Sequence, residues 1–167
     1  MKTKREQFVE VARAEIGTTE GPKNNETKYG KFTGHDLQPW CGSFVMWVAN
    51  QVKAKIPNVV YTPAGVESFK GIGGWSNAET AIPKPGDIVF FDFVEDKMPV
   101  EHVGIVLEDN GDGTITTIEG NTSPDVKPLG SQANGGEVCL KTRAYLATNR
   151  KHLPVFVVGF GSPKWAS

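Results

Sequence analysis

The run Pro39-Trp40-Cys41-Gly42-Ser43-Phe44-Val45-Met46-Trp47-Val48-Ala49 is apolar on most sides of a helix, which leaves it no wet face to present. A helix of that kind is buried in the middle of its domain. The pattern therefore predicts a central helix over about residues 41–53, with Phe44, Val45, Trp47, Val48 and Val52 packed inward. It also sets Cys41 at the helix start, where unpaired backbone N–H groups and the positive end of the dipole lower a thiol's pKa. The thiolate is the nucleophile, so Cys41 is a candidate for that role. The competing account is the common fate of cysteine, a small hydrophobe that begins a core helix.

The segments around this helix divide the chain into two halves. Thr3-Lys4-Arg5-Glu6 has the form of a capping box, and Phe8, Ala12 and Ile16 follow at four-residue spacing before Gly17, which predicts a first helix over about residues 4–16. Thr18 to Pro39 is polar and rich in glycine and asparagine, and is expected to be a long ordered loop; Thr62-Pro63-Ala64 opens a shorter helix to about Lys70, and Gly71 to Pro85 is again loop. Beyond Pro85-Gly86-Asp87 the chain turns β-branched and aromatic, with strands expected at Ile88–Phe93, His102–Leu107, Thr114–Glu119, about 137–146 and about 154–160. Helices followed by antiparallel strands imply an α+β domain with helices packed on one face of a sheet.

At 167 residues the chain fits a single domain spanning 1–167. A formal charge of −1 without long like-charge runs argues against a nucleic-acid partner. No stretch approaches the roughly 20 apolar residues that cross a bilayer, and Met1-Lys2-Thr3-Lys4-Arg5-Glu6 leads into an amphipathic pattern without an apolar signal region. The expectation is a monomer made in the cytoplasm, with no membrane partner; work outside the cell would need another exit route. Two cysteines are too few for a disulfide scaffold, and Cys139, in Glu137-Val138-Cys139-Leu140, reads as an inert buried strand residue. His35, His102 and His152 match no compact zinc spacing, so neither metal nor cofactor is expected.

Glu108-Asp109-Asn110-Gly111-Asp112-Gly113 is dense in hairpin signals and joins two of the strands. With an even loop, His102 faces Glu119 if Asn110-Gly111 is the turn, or Asn121 if Gly111-Asp112 is. Strand side chains alternate, so Glu119 and Asn121 share a face in either case. An odd loop without a compensating bulge would break this inference. The hairpin thus gives an imidazole an acidic or amide neighbour, which is how a general base is oriented. Taken singly, Glu119 is a solvated strand end, Asn121 a turn former and His102 a strand-edge polar residue.

Cys41 at a helix start, Pro85-Gly86-Asp87 before a strand, His102-Val103-Gly104-Ile105-Val106 and then Glu119-Gly120-Asn121, in that order, resemble the CHAP domains of the NlpC/P60 superfamily. Asn25-Glu26-Thr27-Lys28-Tyr29-Gly30 and Pro39-Trp40-Cys41 are similar to bacteriophage endolysins in particular. The resemblance implies a papain-like α+β fold with an antiparallel sheet of five to six strands. It also implies cleavage of bacterial peptidoglycan, either at the N-acetylmuramoyl-L-alanine amide or at a stem or cross-bridge peptide bond. By the same resemblance Cys41 is the nucleophile, His102 its base, Glu119 the acid that orients the imidazole and Asn121 an assisting neighbour.

The chain departs from that pattern in two places. Some CHAP lysins bind calcium through an aspartate-rich loop before the cysteine, whereas Thr27 to Gln38 offers only Asp36; calcium dependence is not expected. Gly161-Ser162-Pro163-Lys164-Trp165-Ala166-Ser167 is too short to form a wall-binding domain after Phe160, so the expectation is either a minimal one-domain lysin or a catalytic module of a longer chain. Two alternatives stand beside the wall hydrolase: a papain-like protease or toxin acting on protein, and a non-catalytic wall-binding module gripping glycan with Tyr29, Phe32, Trp40 and Trp75.

Overall fold

A computed structural model of the chain describes residues 1–93, 99–125 and 132–165. Of the carboxy-terminal tail, Ala166 and Ser167 lie outside the described residues. Helix α1 (Lys4–Ala14) starts on the expected reciprocal cap: the Thr3 hydroxyl accepts from the Glu6 N–H, and the Glu6 carboxylate from the Thr3 N–H. It ends before Ile16 because the chain leaves to bond the sheet. Gly17, at φ +94°, donates its N–H to the Val138 carbonyl at 2.9 Å.

A short helix, α2 (Lys28–Thr33), lies in the stretch expected to be loop. The Thr27 hydroxyl caps it by accepting from the Gly30 N–H, and Gly34 closes it in the left-handed conformation at φ +77°. Six residues are too few for an apolar period to declare itself. Helix α3 (Cys41–Gln51) is the central helix the sequence calls for, with Phe44, Val45 and Val48 fully buried. Helix α4 (Thr62–Gly71) follows with proline in its first turn.

Among the described residues, six strands form one antiparallel sheet in the order β1-β6-β2-β3-β4-β5. They are β1 (Trp75–Asn77), β2 (Ile88–Phe91), β3 (His102–Asp109), β4 (Thr114–Thr122), β5 (Glu137–Ala144) and β6 (Val157–Gly161). Strand β1 and the 3₁₀ turn after it (Ala78–Thr80) occupy a segment expected to be loop; three residues paired with Gly159–Gly161 leave no alternation to read. The sheet is buried on both faces. Ile88, Phe90, Val103, Ile105 and Ile118 meet the helices, whereas Val89, Phe91, Val106, Ile115 and Phe160 form a second cluster on the far side.

Two glycines let α3 lie where it does. A Cβ on Gly42 would stand 2.2 Å from the Val59 carbonyl oxygen, and one on Gly120 would stand 2.7 Å from Phe44 Cβ. Backbone therefore approaches the first turn of α3 from two sides, which fixes the helix start against the end of β4.

Candidate active site

Cys41 is the first residue of α3, and the cap residue Trp40 offers no side-chain hydrogen bond to the helix. First-turn N–H groups have no intrahelical partner, so they remain available to the sulfur. Trp40 is itself fixed: its ring stacks on Tyr29 at 5.4 Å, and its Nε1–H donates to Glu20 Oε2 at 2.9 Å. Burial pushes the Cys41 thiol up, but the hydrogen bond and charge of His102, together with the Val103 and Gly42 N–H groups, outweigh it and hold the thiol below its ordinary value.

His102 is the first residue of β3, so thiol and imidazole meet at the end of the sheet. The ring is fully buried and tilted against Phe91 and Phe93, each 5.5 Å away by centroid. Its Nε2 is 2.8 Å from Glu119 Oε1. Nδ1 has no full hydrogen bond among the described residues, which leaves it as the nitrogen open to the thiol. Burial alone would push the imidazole down, yet Cys41 and then Glu119 carry it up to about 9. A lowered thiol beside a raised imidazole favours the thiolate–imidazolium pair.

Glu119 lies on β4, fully buried, and is no solvated strand end. Burial opposes its charge; the Arg143 guanidinium and then His102 override that and hold the carboxyl well below the usual range. Arg143 Nε donates to Oε2 at 2.9 Å and Nη2 to Oε1 at 2.6 Å, while the Thr117 hydroxyl also donates to Oε2. With His102 Nε2, the carboxylate has four partners, which is close to its capacity.

The route from His102 to Glu119 differs from simple parity. Near the turn Asp109 pairs with Ile115 and Glu108 with Thr116, an odd loop; a bulge at Leu107 then shifts the register, so that Val106 faces Thr117 and Ile105 faces Ile118. Carried forward, that register sets Gly104 against Glu119, and the carboxylate reaches diagonally across the glycine to the imidazole. Asn121 is not drawn in with it. A second irregularity separates Glu119 from Thr122 in the β4–β5 pairing, and Asn121 adopts φ +59°. Its Nδ2 donates to Asn134 Oδ1 at 3.1 Å and its Oδ1 accepts from the Gly136 N–H at 3.0 Å. The structure thus brings Cys41, His102 and Glu119 together and ties Asn121 to the segment before β5.

The remaining candidates lie elsewhere. His35 and His152 are exposed, and Asp36 Oδ1 accepts from the Thr27 N–H at 3.2 Å. The Cys139 thiol is pushed up to about 12 by burial and by its hydrogen bond to Glu137, the opposite of Cys41. Arg143 carries no signal in the one-dimensional sequence. Only the pairing of β5 with β4 reveals that Cys139, Lys141 and Arg143 alternate onto the face that holds Glu119. A cavity of about 410 Å³ on this face is lined by Phe91, Gln132, Lys141, Arg143 and Phe156 among others; neither Cys41 nor His102 lines it.

The CHAP domain family model matches residues 33–121, more than half of the chain and the stretch that carries Cys41, His102, Glu119 and Asn121. In fold the chain is similar to wild-type endolysin LysIME-EF1, at 14% identity and a TM-score of 0.53, covering 99% of this chain and 67% of that one. It is also similar to Ly7917, at 17% identity and a TM-score of 0.50, covering 95% of this chain and 62% of that one. A second structure of Ly7917, holding the hydrolysing product of MDP, matches at 16% identity and a TM-score of 0.50, with 95% and 62% covered. The chain therefore spans about three fifths of the length of Ly7917. No curated protein sequence matches it.

Proposed function

The chain belongs to the CHAP domain family, and from that membership we propose that it is a cysteine hydrolase of bacterial peptidoglycan that cuts an amide bond by acyl transfer. One observation carries the proposal: the imidazole between Cys41 and Glu119 has one nitrogen bonded to a buried carboxylate and the other open to a thiol at a helix start. A binding module has no use for that arrangement.

A lowered thiol beside a raised imidazole favours the proton on His102, and the reaction starts from that ion pair. The Cys41 thiolate attacks the substrate carbonyl carbon, and the oxygen becomes an oxyanion. The backbone N–H of Cys41, at the open end of α3, is the natural donor to that oxygen. His102 gives its proton to the leaving amine, then takes one from the water that attacks the thioester. Glu119 stays ionised throughout and keeps Nε2–H pointed at itself, so that Nδ1 does the proton work.

The bond is either the N-acetylmuramoyl-L-alanine amide or a peptide bond of the stem or cross-bridge; both suit this chemistry. Mass spectrometry of muropeptides released from purified walls names it. Muramic acid freed of its peptide identifies an amidase, a severed stem or bridge an endopeptidase, and intact walls refute both. The glycan-gripping alternative is disfavoured by two of its own residues, since Tyr29 and Trp40 are fully buried against each other.

A further inference from the structure

We propose that Arg143 is a positioning residue of this site, whose guanidinium fork holds both oxygens of Glu119 and thereby fixes the imidazole that serves Cys41. The inference deepens the thiol-hydrolase reading above and rests on it.

The geometry is that of a bidentate clamp. Nε meets Oε2 at 2.9 Å and Nη2 meets Oε1 at 2.6 Å, a planar match that a lysine ammonium cannot make. Oε1, the oxygen that accepts from His102, is therefore also held by Arg143. A rotation of the carboxylate away from His102 would break both guanidinium bonds. The clamp is built across an offset: Arg143 is paired with Ile115, whereas Glu119 is paired with Cys139, so the guanidinium reaches along β4 to the carboxylate. Phe91 and Phe93 lie 5.1 and 5.0 Å from the guanidinium carbon and also flank His102, so the same two rings brace both cations.

Charge counting gives the clamp a chemical purpose. Thiolate, imidazolium and carboxylate together carry a net negative charge, and their side chains are buried. Arg143 makes the set neutral. Without it, the least costly relief is for Glu119 to take up a proton or for Cys41 to keep its own, and either outcome removes the reactive ion pair. The other ionisable groups around the cluster do not substitute. Cys139, next on β5, is held neutral; Lys141 is engaged by Asp125 at 2.9 Å and by the Ser123 carbonyl; Glu137 lies at the far end of β5.

A purely structural salt bridge would hold β4 to β5 without touching the thiol, and the two roles separate experimentally. In a Cys139→Ser background, the rate of Cys41 alkylation by iodoacetamide is followed against pH in the parent, Arg143→Met, Arg143→Lys and Arg143→Ala, beside kcat and KM on purified walls and circular dichroism. Arg143→Met is expected to move the acid limb of alkylation to higher pH and to lower kcat by about tenfold or more with little change in KM; Arg143→Lys, which keeps the charge, should stay nearer the parent. Arg143 lines the 410 Å³ cavity, so added guanidinium ion has a path to the vacated place and should restore part of the kcat of Arg143→Ala. A folded Arg143→Met with parental pH profile and kcat, or a folded Arg143→Ala indifferent to guanidinium, overturns the proposal.

Should Arg143→Met fail to fold, the double variant Glu119→Gln/Arg143→Met leaves no buried unpaired charge. Because Arg143 acts through Glu119, it should be no less active than Glu119→Gln alone; additive losses overturn the proposal. If no variant, nor the parent, releases wall fragments while the alkylation profile still shifts, Arg143 keeps its place and the substrate assignment falls.

Discussion

Gly104 and Glu119 stand side by side on adjacent strands, so close that a Cβ on the glycine would lie 2.6 Å from Glu119 Cγ. The missing side chain is the passage through which the carboxylate reaches His102, one diagonal step away on β3. Gly104→Ala should therefore push Glu119 off the imidazole, lowering kcat about tenfold or more and stability by about 1–3 kcal/mol, the usual cost of overpacking. Steady-state kinetics and thermal melts check this. A folded Gly104→Ala enzyme with parental kcat would mean that the Glu119–His102 contact is dispensable.

The two thiols should behave oppositely. Cys41→Ala is expected to abolish hydrolysis with the fold retained, and Cys139→Ser to keep most activity, because the Cys41 thiol is held below its ordinary value and the Cys139 thiol is pushed above it. Peptide mapping after brief iodoacetamide treatment at neutral pH should find the label on Cys41. Label on Cys139 with loss of activity would reverse the assignment.

For pH, the signs run in two directions. His102 is raised from 6.5 to about 9, so its contribution to stability is fully present below about 6.5 and is lost as pH rises through about 9. Glu119 is lowered from 4.5, so its contribution is present above about 4.5 and is lost as pH falls well below that. The alkaline limb of kcat/KM should fall near pH 9, as the imidazolium loses its proton. In Cys41→Ala the alkaline loss of stability should move to lower pH, because Cys41 heads the causes that raise the imidazole. Melting temperatures measured across pH for both proteins test this, and coincident alkaline midpoints would contradict it.

Glu119 and Asn121 should part company. Glu119→Gln loses the charge that faces His102 and Arg143, and kcat should drop by between about ten and about 10⁴, the span from a general acid–base contribution to loss of a triad acid. Asn121→Ala loses its bonds to Asn134 and Gly136, so its effect on kcat should be smaller and should appear mainly as destabilisation, about 1–3 kcal/mol. Equal losses of kcat would bring Asn121 back to the imidazole.

Much of this site was legible from local pattern. The buried helix behind Cys41 follows from its all-round apolarity, and the His102 hairpin from turn residues flanked by β-branched strands. What escaped lies in cross-strand register. An odd loop and a bulge at Leu107 together restore the parity that joins His102 to Glu119, and neither is visible without the pairing. A second irregularity and a left-handed residue turn Asn121 aside, where plain alternation places it beside Glu119. Arg143 looks like any basic residue of a strand until β5 is laid against β4. The short elements α2 and β1 carry no such signal, because neither is long enough to show a period.

The central claim is that Cys41 cleaves an amide bond of the bacterial wall. Purified walls incubated with the parent protein and with Cys41→Ala, with new amino groups and new reducing ends both quantified, test it most directly. New amino groups are expected from the parent, none from Cys41→Ala, and no new reducing ends from either. Reducing ends, amines released by Cys41→Ala, or wall binding without release of either group would contradict it.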